Sequence, residues 1–427
     1  MVQRCVAVWR GPGRVMHVLF VHRSGSGQFS HLIDRLLAEG AEVTLVTERA
    51  EHSRPGLRQI AYALDAGLAA SPSLAATEYH VRTGEAVAAV LRRLRREDRP
   101  DLIIGHTGWG GLLFVKDVLP GTPLLGYCEY YYNADDSDFD FDPAFGISEA
   151  QRMRLRMRNA AQLVTLQAVD AAYTPTRWQH RQYPAAIRDR IAICHDGIDT
   201  RLCRPDPDAS FTLPDGRELR RGDEVVTFVA RDLDPYRGYP QFMRAAALVA
   251  QARPGVLFVV VGGDGVGYGR PRSDGRLWRE VMLAETGLGE RMVHIPWLAR
   301  EDLIRLFQVS AAHVYLTVPF VLSWSLLEAM ACGCLIVGSR TGPVQEVVSD
   351  RRNGLLAPFF DRSALAGTIA AALERQVEYE PLRQAARAAV LGRFDLEACL
   401  DRQMGLVERL VAQNDSALAQ MDGLAAG

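Results

Sequence analysis

The sequence predicts an α/β protein made of two domains, each a doubly wound parallel sheet. Three observations support this prediction. At 427 residues, the chain exceeds the size of a single hydrophobic core. Short apolar runs of strand length alternate with helical patterns, and this alternation stops at a polar stretch and then begins again. Hydrophobic residues make up 48% of the chain and charged residues 23%, as in ordinary globular proteins.

The first strand is the apolar run at 17–22, which is typical of a strand buried on both faces of a parallel sheet. A Ser-Gly-Ser-Gly segment follows, and apolar residues at helical spacing from Phe29 then predict an amphipathic helix. Gly40 ends this helix, and a second strand covers Glu42–Thr47. The rest of this half is expected to contain a helix with one apolar face (Val87, Val90, Leu91, Leu94) and strands at Asp101–His106, Thr122–Tyr127 and Ile191–Cys194.

The same alternation recurs in the second half. Strands are expected at Glu224–Ala230, Val256–Gly263, Val293–Trp297, His313–Thr317 and Leu335–Gly338. Helices are expected at Tyr239–Gln251, around Leu303–Phe307, before Ala331 and, as a short helix, at Glu346. The resulting plan is an extension at 1–15, a first domain at 16–203, a linker at 204–223, a second domain at 224–395, and at 396–427 a C-terminal helix that packs back on the first domain, followed by a tail.

Composition excludes several functions. The net charge of −2 gives no general attraction to nucleic acid. Lys116 is the single lysine and does not lie in a Walker-type loop, so phosphate binding must depend on arginine, backbone amides and helix ends. No apolar run approaches the roughly 20 residues of a membrane helix. We expect no signal peptide, and we interpret the seven scattered cysteines as reduced thiols of a cytoplasmic protein without a zinc site.

The most specific pattern lies in the second half, where residues 323–333 are SWSLLEAMACG and residues 334–346 are CLIVGSRTGPVQE. Other segments of the pattern follow the same order along the chain. They are Gly25 and Gly27 after the first strand, HDGID at 195–199, Ala230-Arg231, YRG at 236–238 and NGLL at 353–356. Together these segments resemble the family-four retaining glycosyltransferases of the GT-B fold.

The resemblance implies two Rossmann-like domains that face each other across a cleft. It also implies transfer of a sugar, with retention of configuration, from a nucleotide-diphosphate donor to a glycan, lipid or protein acceptor. The second domain is expected to hold the donor and the first domain the acceptor. Bacterial polysaccharide or glycoconjugate synthesis is the expected setting, and no metal or other cofactor is expected.

The donor site is predicted from the charge that the reaction develops. A departing nucleoside diphosphate concentrates negative charge on its β-phosphate. Arg231 and Arg237 follow the first strand of the second domain, and their forked donors suit a diphosphate, so both are catalytic candidates. Glu328 interrupts an apolar helix, and the equivalent glutamate of the family binds the ribose. The other donor-binding candidates are Gly25, Gly27, Ser323, Trp324, Ser325 and, in the segment 294–298 expected to contact the base, Pro296.

The acceptor side is predicted in the first domain. His106 ends a strand and runs into a glycine-rich segment, where a cleft needs polar groups. Family members often carry a histidine there, so His106 is a catalytic candidate that would bind the transferred sugar or support the β-phosphate rather than act as a full general base. Trp109, Glu129 and Tyr130 are the acceptor-side candidates.

One position departs from the family pattern. The family usually carries a second glutamate eight positions before Glu328, and this chain has Phe320 there. Because that glutamate normally contacts the donor sugar, three interpretations stay open. The enzyme uses a different sugar, Ser323 or Ser325 replaces the glutamate, or the catalyst is weakened.

Three other sequence patterns are weaker evidence for a function. The acidic segment 135–142 contains Asp-x-Asp triplets but lies in a long loop, so we interpret it as an acceptor-side surface rather than a metal site. The glycines at 262–267 lack a following helix and do not predict dinucleotide binding. Arginines at 92, 93, 95, 96, 152, 154, 156 and 158 form basic helix faces, and peripheral contact with an anionic membrane is a hypothesis for them.

Two rival functions also stay open. A nucleotide-sugar epimerase of the same fold would turn over its substrate without an acceptor. A non-catalytic protein that binds a nucleotide sugar or a partner is the other rival, and Phe320 is the reason to consider it. A phosphorylase of this fold would need a pyridoxal phosphate lysine, and Lys116 lies in the wrong half for that role.

Overall fold

The computed structural model describes residues 9–10, 14–64, 71, 73–143, 146–269 and 271–425. The chain divides into two compact units. The first comprises the described residues of Met1–Asp196 and Glu397–Gly427, and the second comprises Gly197–Leu396. Most of the predicted extension at 1–15 lies outside the described residues. Its described part forms a short antiparallel ribbon of β1 (Trp9–Arg10) and β2 (Arg14–Val15).

The first unit contains a seven-stranded parallel sheet in the order β5-β4-β3-β6-β7-β8-β9. The central strand β3 is buried along its whole length, as its continuous apolar run predicts. The short strands β5 and β8 were not predicted from the sequence. The strands are β3 (His17–Val21), β4 (Glu42–Thr47), β5 (Leu57–Ala61), β6 (Leu102–His106), β7 (Leu124–Tyr127), β8 (Ala171–Thr174) and β9 (Ile191–Ile193).

Six helices connect these strands, and a seventh belongs to the same unit from the end of the chain. Gln403 on this last helix donates from Nε2 to the carbonyl of His195 at 3.2 Å. In the described residues, no helix has both the length and the apolar character that a membrane-spanning segment requires. The helices are α1 (Ser30–Ala38), α2 (Ala75–Glu97), α3 (Val115–Val118), α4 (Glu149–Ala168), α5 (Arg177–Gln182), α6 (Ala185–Arg188) and, at the end of the chain, α14 (Leu396–Ala425).

The second unit contains a six-stranded parallel sheet in the order β14-β13-β12-β15-β16-β17. Strand β14 ends before Pro296, which has no N–H to donate to a ladder, so it is shorter than predicted. The strands are β12 (Val225–Asp232), β13 (Leu257–Gly263), β14 (Met292–Ile295), β15 (Ala312–Tyr315), β16 (Ile336–Ser339) and the unpredicted β17 (Leu355–Ala357).

The helices of the second unit lie between and after these strands. Helix α10 is the apolar helix that contains Glu328, and all of its residues after Trp324 are buried. The helices are α7 (Tyr239–Ala252), α8 (Trp278–Thr286), α9 (Arg300–Val309), α10 (Trp324–Ala331), α11 (Gly342–Gln345), α12 (Arg362–Glu374) and α13 (Glu380–Arg393).

The structure corrects the prediction of a linker at 204–223. Strands β10 (Ser210–Thr212) and β11 (Glu218–Arg220) pair there as an antiparallel hairpin within the second unit. Phe211, Leu213 and Leu219 are buried in a core cluster of that unit. Apolar residues alternate with exposed polar ones, so the average composition of the segment looked like that of a linker. The boundary between the units falls earlier, between Asp196 and Gly197.

Gly238 fixes the turn between β12 and α7. Its φ is +71°, and a Cβ atom there would lie 2.5 Å from the Cβ of Leu316. A side chain at this position would therefore combine backbone strain with a collision against a neighbouring segment.

We predict that Gly238→Ala lowers the thermal midpoint of the second unit clearly more than Gly287→Ala. Gly287 has a φ of +63° but no heavy atom within 4 Å of its Cβ position, so its substitution isolates the cost of backbone strain. That cost is about 1–2 kcal/mol, and the collision at Gly238 should add a similar amount. Differential scanning calorimetry measures both shifts, and equal shifts would show that Leu316 moves aside freely.

Candidate functional site

The order of strands marks one place in the second sheet where a ligand can bind. Strands β12 and β15 are neighbours there, and the chain leaves them in opposite directions, to β13 and to β16. In open parallel sheets, such a switch point opens a crevice at the carboxyl ends of the strands. The segments at 232–238 and 316–323 follow these two ends, and they contain several of the predicted donor-site residues.

Arg237 is held at this switch point by residues that follow β15. Its Nη1 donates to the carbonyl of Val321 at 2.9 Å and to Oγ1 of Thr317 at 3.0 Å. The hydroxyl of Tyr315 lies 3.4 Å from the same nitrogen. The guanidinium group therefore has a fixed position, and its other N–H groups remain to bind an anion.

Tyr315 connects Arg237 to the beginning of helix α10. The backbone N–H of Ser323 donates to the Tyr315 hydroxyl at 2.8 Å. Ser323 is the N-cap residue of α10, and its Oγ accepts a hydrogen bond from the N–H of Ser325 at 3.4 Å. Trp324 is the first residue of the helix and is partly buried. The structure thus brings Arg237, Ser323 and Ser325 together, and their contact with a donor stays a prediction.

Glu328 lies on the same helix and is 8% exposed. Burial raises the pKa of this carboxyl group, and the nearby charge of Arg300 opposes the rise. Oε1 of Glu328 lies 3.3 Å from Nη2 of Arg300, the first residue of α9. The Nε of Arg300 is buried without a hydrogen-bond partner in the described residues. An ion pair with one unused donor therefore lines this part of the site.

Asp234 is a site residue that the sequence did not reveal. It is 2% exposed, and its Oδ1 accepts a hydrogen bond from the N–H of Arg237 at 3.3 Å. Burial raises the pKa of Asp234 to about 7, although Arg237 acts in the opposite direction. An Asp at the position before Pro235 is a common helix cap, and that cap is the signal in the sequence.

Two other predicted donor residues lie nearer the solvent. The Arg231 side chain is 86% exposed, and its Nε lies 3.9 Å from Oδ2 of Asp232. Pro296 is exposed just beyond β14, and the neighbouring Trp297 is 77% exposed. The structure therefore fixes one of the two predicted arginines and leaves the other with room to reorient, and it presents an aromatic ring in the segment expected to contact the base.

Phe320 fills the position where the family usually has a glutamate. It is 1% exposed and packs against two tyrosine rings, with centroids 5.3 Å from Tyr236 and 4.7 Å from Tyr268. A carboxylate would not suit such an apolar environment. Phe320 is therefore part of an aromatic cluster with Tyr236 and Tyr268.

The first unit has its own switch point, between β3 and β6. His106 ends β6 and is buried. Its Nδ1 accepts a hydrogen bond from the N–H of Gly108 at 3.0 Å, which assigns the proton of the neutral ring to Nε2. Nε2 lies 3.3 Å from Oε2 of Glu129, so both ring nitrogens have partners within this unit.

The other acceptor-side candidates differ in whether they contact His106. Burial opposes ionisation of Glu129, but the hydrogen bonds from His106 and Gln28 and the electrostatic effect of the His106 and His22 rings leave the pKa of this carboxyl lowered. The Trp109 ring lies 5.4 Å from that of His106, and the guanidinium of Arg23 lies 5.3 Å from the Trp109 centroid. Tyr130 is buried, and its hydroxyl donates to Asp138. Trp109 and Glu129 therefore group with His106, whereas Tyr130 supports a loop.

Gly25 and Gly27 have φ values of +55° and +49°. A Cβ atom on Gly27 would lie 2.3 Å from Cε1 of His22. Between the two glycines, the N–H and the hydroxyl of Ser26 donate to Oε2 of Glu51 at 2.8 and 2.7 Å. The carboxylate of Glu51 thus occupies an anion-binding position in this loop. A direct contact of Gly25 and Gly27 with the sugar donor stays a prediction.

The remaining patterns have local roles in the structure. Asp140 accepts hydrogen bonds from the N–H groups of Asp136 and Ser137, so it shapes its own loop. In the described residues, no group of three or more His, Cys, Asp or Glu side chains is arranged to hold a metal. The glycines after β13 face a carboxylate, since a Cβ atom on Gly265 would lie 2.3 Å from Oδ1 of Asp232.

Two family models match the chain. The model described as "Glycosyl transferase family 4 group" matches residues 39–203, and that described as "Glycosyl transferases group 1" matches residues 212–389. Among curated proteins, the chain is 30% identical over 188 residues to D-inositol 3-phosphate glycosyltransferase of Mycobacterium sp. strain JLS, covering 44% of this chain and 40% of that protein. It is 32% identical over 187 residues to alpha-maltose-1-phosphate synthase of Mycolicibacterium smegmatis, covering 42% and 45%. The matches thus span less than half of these relatives.

Solved structures resemble the whole chain in fold. Sucrose-phosphate synthase of Thermosynechococcus elongatus superposes with a TM-score of 0.72 at 21% identity, covering 93% of this chain and 100% of that structure. Anabaena HepE, solved in complex with UDP and glucose, gives a TM-score of 0.67 at 18% identity, covering 92% and 100%. The two matched models, one on each half, and the two parallel sheets show that the chain belongs to the family-four, group 1 glycosyltransferases of the GT-B fold.

Proposed function

We propose that the protein transfers a sugar, with retention of configuration, from a nucleotide-diphosphate donor to an acceptor. One observation carries the proposal. The guanidinium of Arg237 is held at the switch point of the second sheet by the segment that leads into α10, and α10 also bears the buried carboxylate of Glu328. We propose that this fixed cation, the helix N-terminus and the anchored carboxylate form one pocket, whose polarity matches that of a nucleoside diphosphate.

The phosphates would bind at the positive end of this pocket. Arg237 has N–H groups that its protein partners do not use, and the N-terminus of α10 adds backbone donors and a partial positive charge. Arg231 can turn toward the same charge because its side chain is exposed. These groups would stabilise the negative charge that develops on the β-phosphate, and we propose that they do so without a metal ion.

The nucleoside would bind at the other end. An ionised Glu328 can accept hydrogen bonds from the two ribose hydroxyls, and Arg300 favours the ionised form. The exposed ring of Trp297 offers a stacking surface for the base. The relative HepE was solved with UDP, which makes uridine nucleotides the first to test.

We assign the acceptor to the first unit, where Trp109 offers an aromatic face beside His106. Because both ring nitrogens of His106 have partners, its proposed role is to bind the transferred sugar or to support the phosphate, and not to act as a general base. The acceptor would be a glycan, a lipid-linked sugar or a protein in bacterial polysaccharide or glycoconjugate synthesis. We propose a cytoplasmic setting, with peripheral membrane contact at most, because the described cysteines are free thiols.

Substitution of the pocket residues tests the proposal. Arg237→Gln and Glu328→Gln should each weaken binding of the nucleoside diphosphate by about tenfold or more. Arg237→Gln should also slow release of the nucleotide from the sugar donor by about a hundredfold. Calorimetry with UDP, GDP and ADP, followed by a nucleotide-release assay with the matching sugar donors, measures both. Arg244→Gln, at an exposed pair with Glu285, is the matched control and should change neither value.

The same assay separates the rival functions. An epimerase would convert the nucleotide sugar without releasing nucleotide, and a binding protein would retain it unchanged with every acceptor. Wild-type affinity in both the Arg237 and the Glu328 variants would contradict the assigned pocket.

A second test uses pH. With a folded pKa of about 7, Asp234 is mostly neutral at pH 6 and mostly ionised at pH 8. Ionisation places a negative charge beside Arg237, so the dissociation constant of a nucleotide sugar should rise between these pH values. Stability should fall as pH rises from about 4 to about 7, because a raised carboxyl pKa stabilises the fold fully only below the unfolded value of about 4 and loses that contribution as pH rises through the folded pKa.

Asp234→Asn should remove the pH dependence of affinity. Asp138→Asn is the matched control, because burial also raises the pKa of Asp138 to about 7 but this residue lies in the first unit. Asp138→Asn should flatten the loss of stability with pH and leave the pH dependence of affinity in place. Identical affinity profiles in the wild type and Asp234→Asn would contradict the role of Asp234.

A further inference from the structure

A second polar groove lies in the first unit, away from its switch point. It has a volume of about 300 Å³ and is lined by Arg92, Arg95, Arg96, Phe114, Asp117 and Val118. These residues lie on the last turns of α2 and on α3 with its preceding loop. Because α2 leads into the beginning of β6 and α3 into the beginning of β7, the groove lies at the opposite end of the sheet from His106.

The groove carries excess positive charge. Three arginines line it with one carboxylate, Asp117. In the part of the chain that the structure describes, none of these three arginines forms an ion pair, and their one protein hydrogen bond joins Nη1 of Arg95 to the carbonyl of Val118 at 3.4 Å. By contrast, Arg58 in the same unit pairs with Asp98 at 3.2 Å. Three exposed guanidinium groups that line one groove without an ion pair give it a positive potential, which favours an anion between them.

Helix α2 and the segment at Phe114, which form the walls of the groove, pack against the hydrophobic core of the first unit. Leu91 and Leu94, which alternate with the arginines along α2, are fully buried. Phe114 packs close to the same helix, since a Cβ atom on Gly84 would lie 2.9 Å from its Cδ2. The backbone that carries the arginines is therefore fixed before any ligand binds, which lowers the entropy lost on binding.

We infer that this groove binds a compact phosphomonoester. Guanidinium groups bind phosphate oxygens in pairs of parallel hydrogen bonds, and three of them match the charge of a phosphate dianion beside Asp117. The volume lies at the lower end of the range for small-molecule sites, and Phe114 offers an apolar wall to the organic part of the ligand. The phosphomonoester belongs either to a free metabolite or to the headgroup of a lipid, and both share this chemistry.

Binding of glycerol 3-phosphate and of phosphatidic acid vesicles tests the inference. The triple variant R92Q/R95Q/R96Q should weaken groove binding by about tenfold or more. R93Q/R305Q/R352Q removes the same charge from exposed arginines that do not line the groove, and it should stay close to the wild type. Asp117→Asn should tighten binding, and this gain keeps the inference testable if the triple variant does not fold.

The two probes distinguish the sources of the ligand. If R92Q/R95Q/R96Q loses binding to glycerol 3-phosphate alone, the ligand is a free phosphate ester. If it loses binding to phosphatidic acid vesicles, measured against phosphatidylcholine vesicles as the blank, the ligand is a lipid headgroup. Nucleotide affinity should stay unchanged in the triple variant, so the result does not depend on the proposed transferase activity. If neither probe binds, or if both triple variants lose binding equally, the inference is wrong.

Discussion

The contacts of Arg237 are the constraint on which the proposed donor pocket depends. The residue belongs to the segment after β12, yet its guanidinium is held by Thr317 and Val321, which follow β15. Tyr315 then joins the same group to the first turn of α10. Without these bonds, the cation, the helix N-terminus and Glu328 would be independent features. With them, the pocket is preorganised, and little reorganisation is needed when charge develops on a leaving diphosphate.

Positive charge in this fold comes from arginine side chains and from helix N-termini, because the chain has almost no lysine. In the second unit, the buried carboxyl groups of Glu328 and Asp234 lie near Arg300 and Arg237, so each of these two arginines has an acidic neighbour. Because the guanidinium of Arg237 is held in place, a diphosphate at the proposed site would meet a donor whose direction is already fixed. Arg92, Arg95 and Arg96 of α2 form a separate case, since none of them forms an ion pair among the described residues and Asp117 is the one carboxylate that lines their groove.

The sequence predicted those strands whose hydrophobic pattern is clear along the chain. It predicted less of the structure that depends on contacts between residues far apart in sequence. Apolar runs located the central strands, and the resemblance supplied Arg237, Ser323 and Glu328 as candidates for the site. The short strands β5, β8 and β17 carry too few residues for a clear period, and the hairpin at 210–220 was hidden by its exposed polar face. Tyr315 and Arg300 entered the site through tertiary contacts, because no sequence spacing shows which arginine pairs with a buried carboxylate. Asp234 entered it through a local cap, whose burial the sequence does not show.

A crystal structure of the protein with the nucleoside diphosphate that binds best would show whether Arg237 and α10 hold the phosphates. We expect the diphosphate within hydrogen-bond distance of Arg237 and of the first turn of α10, with the ribose hydroxyls at Glu328. A nucleotide located elsewhere, with Arg237 still bonded only to Thr317 and Val321, would contradict it.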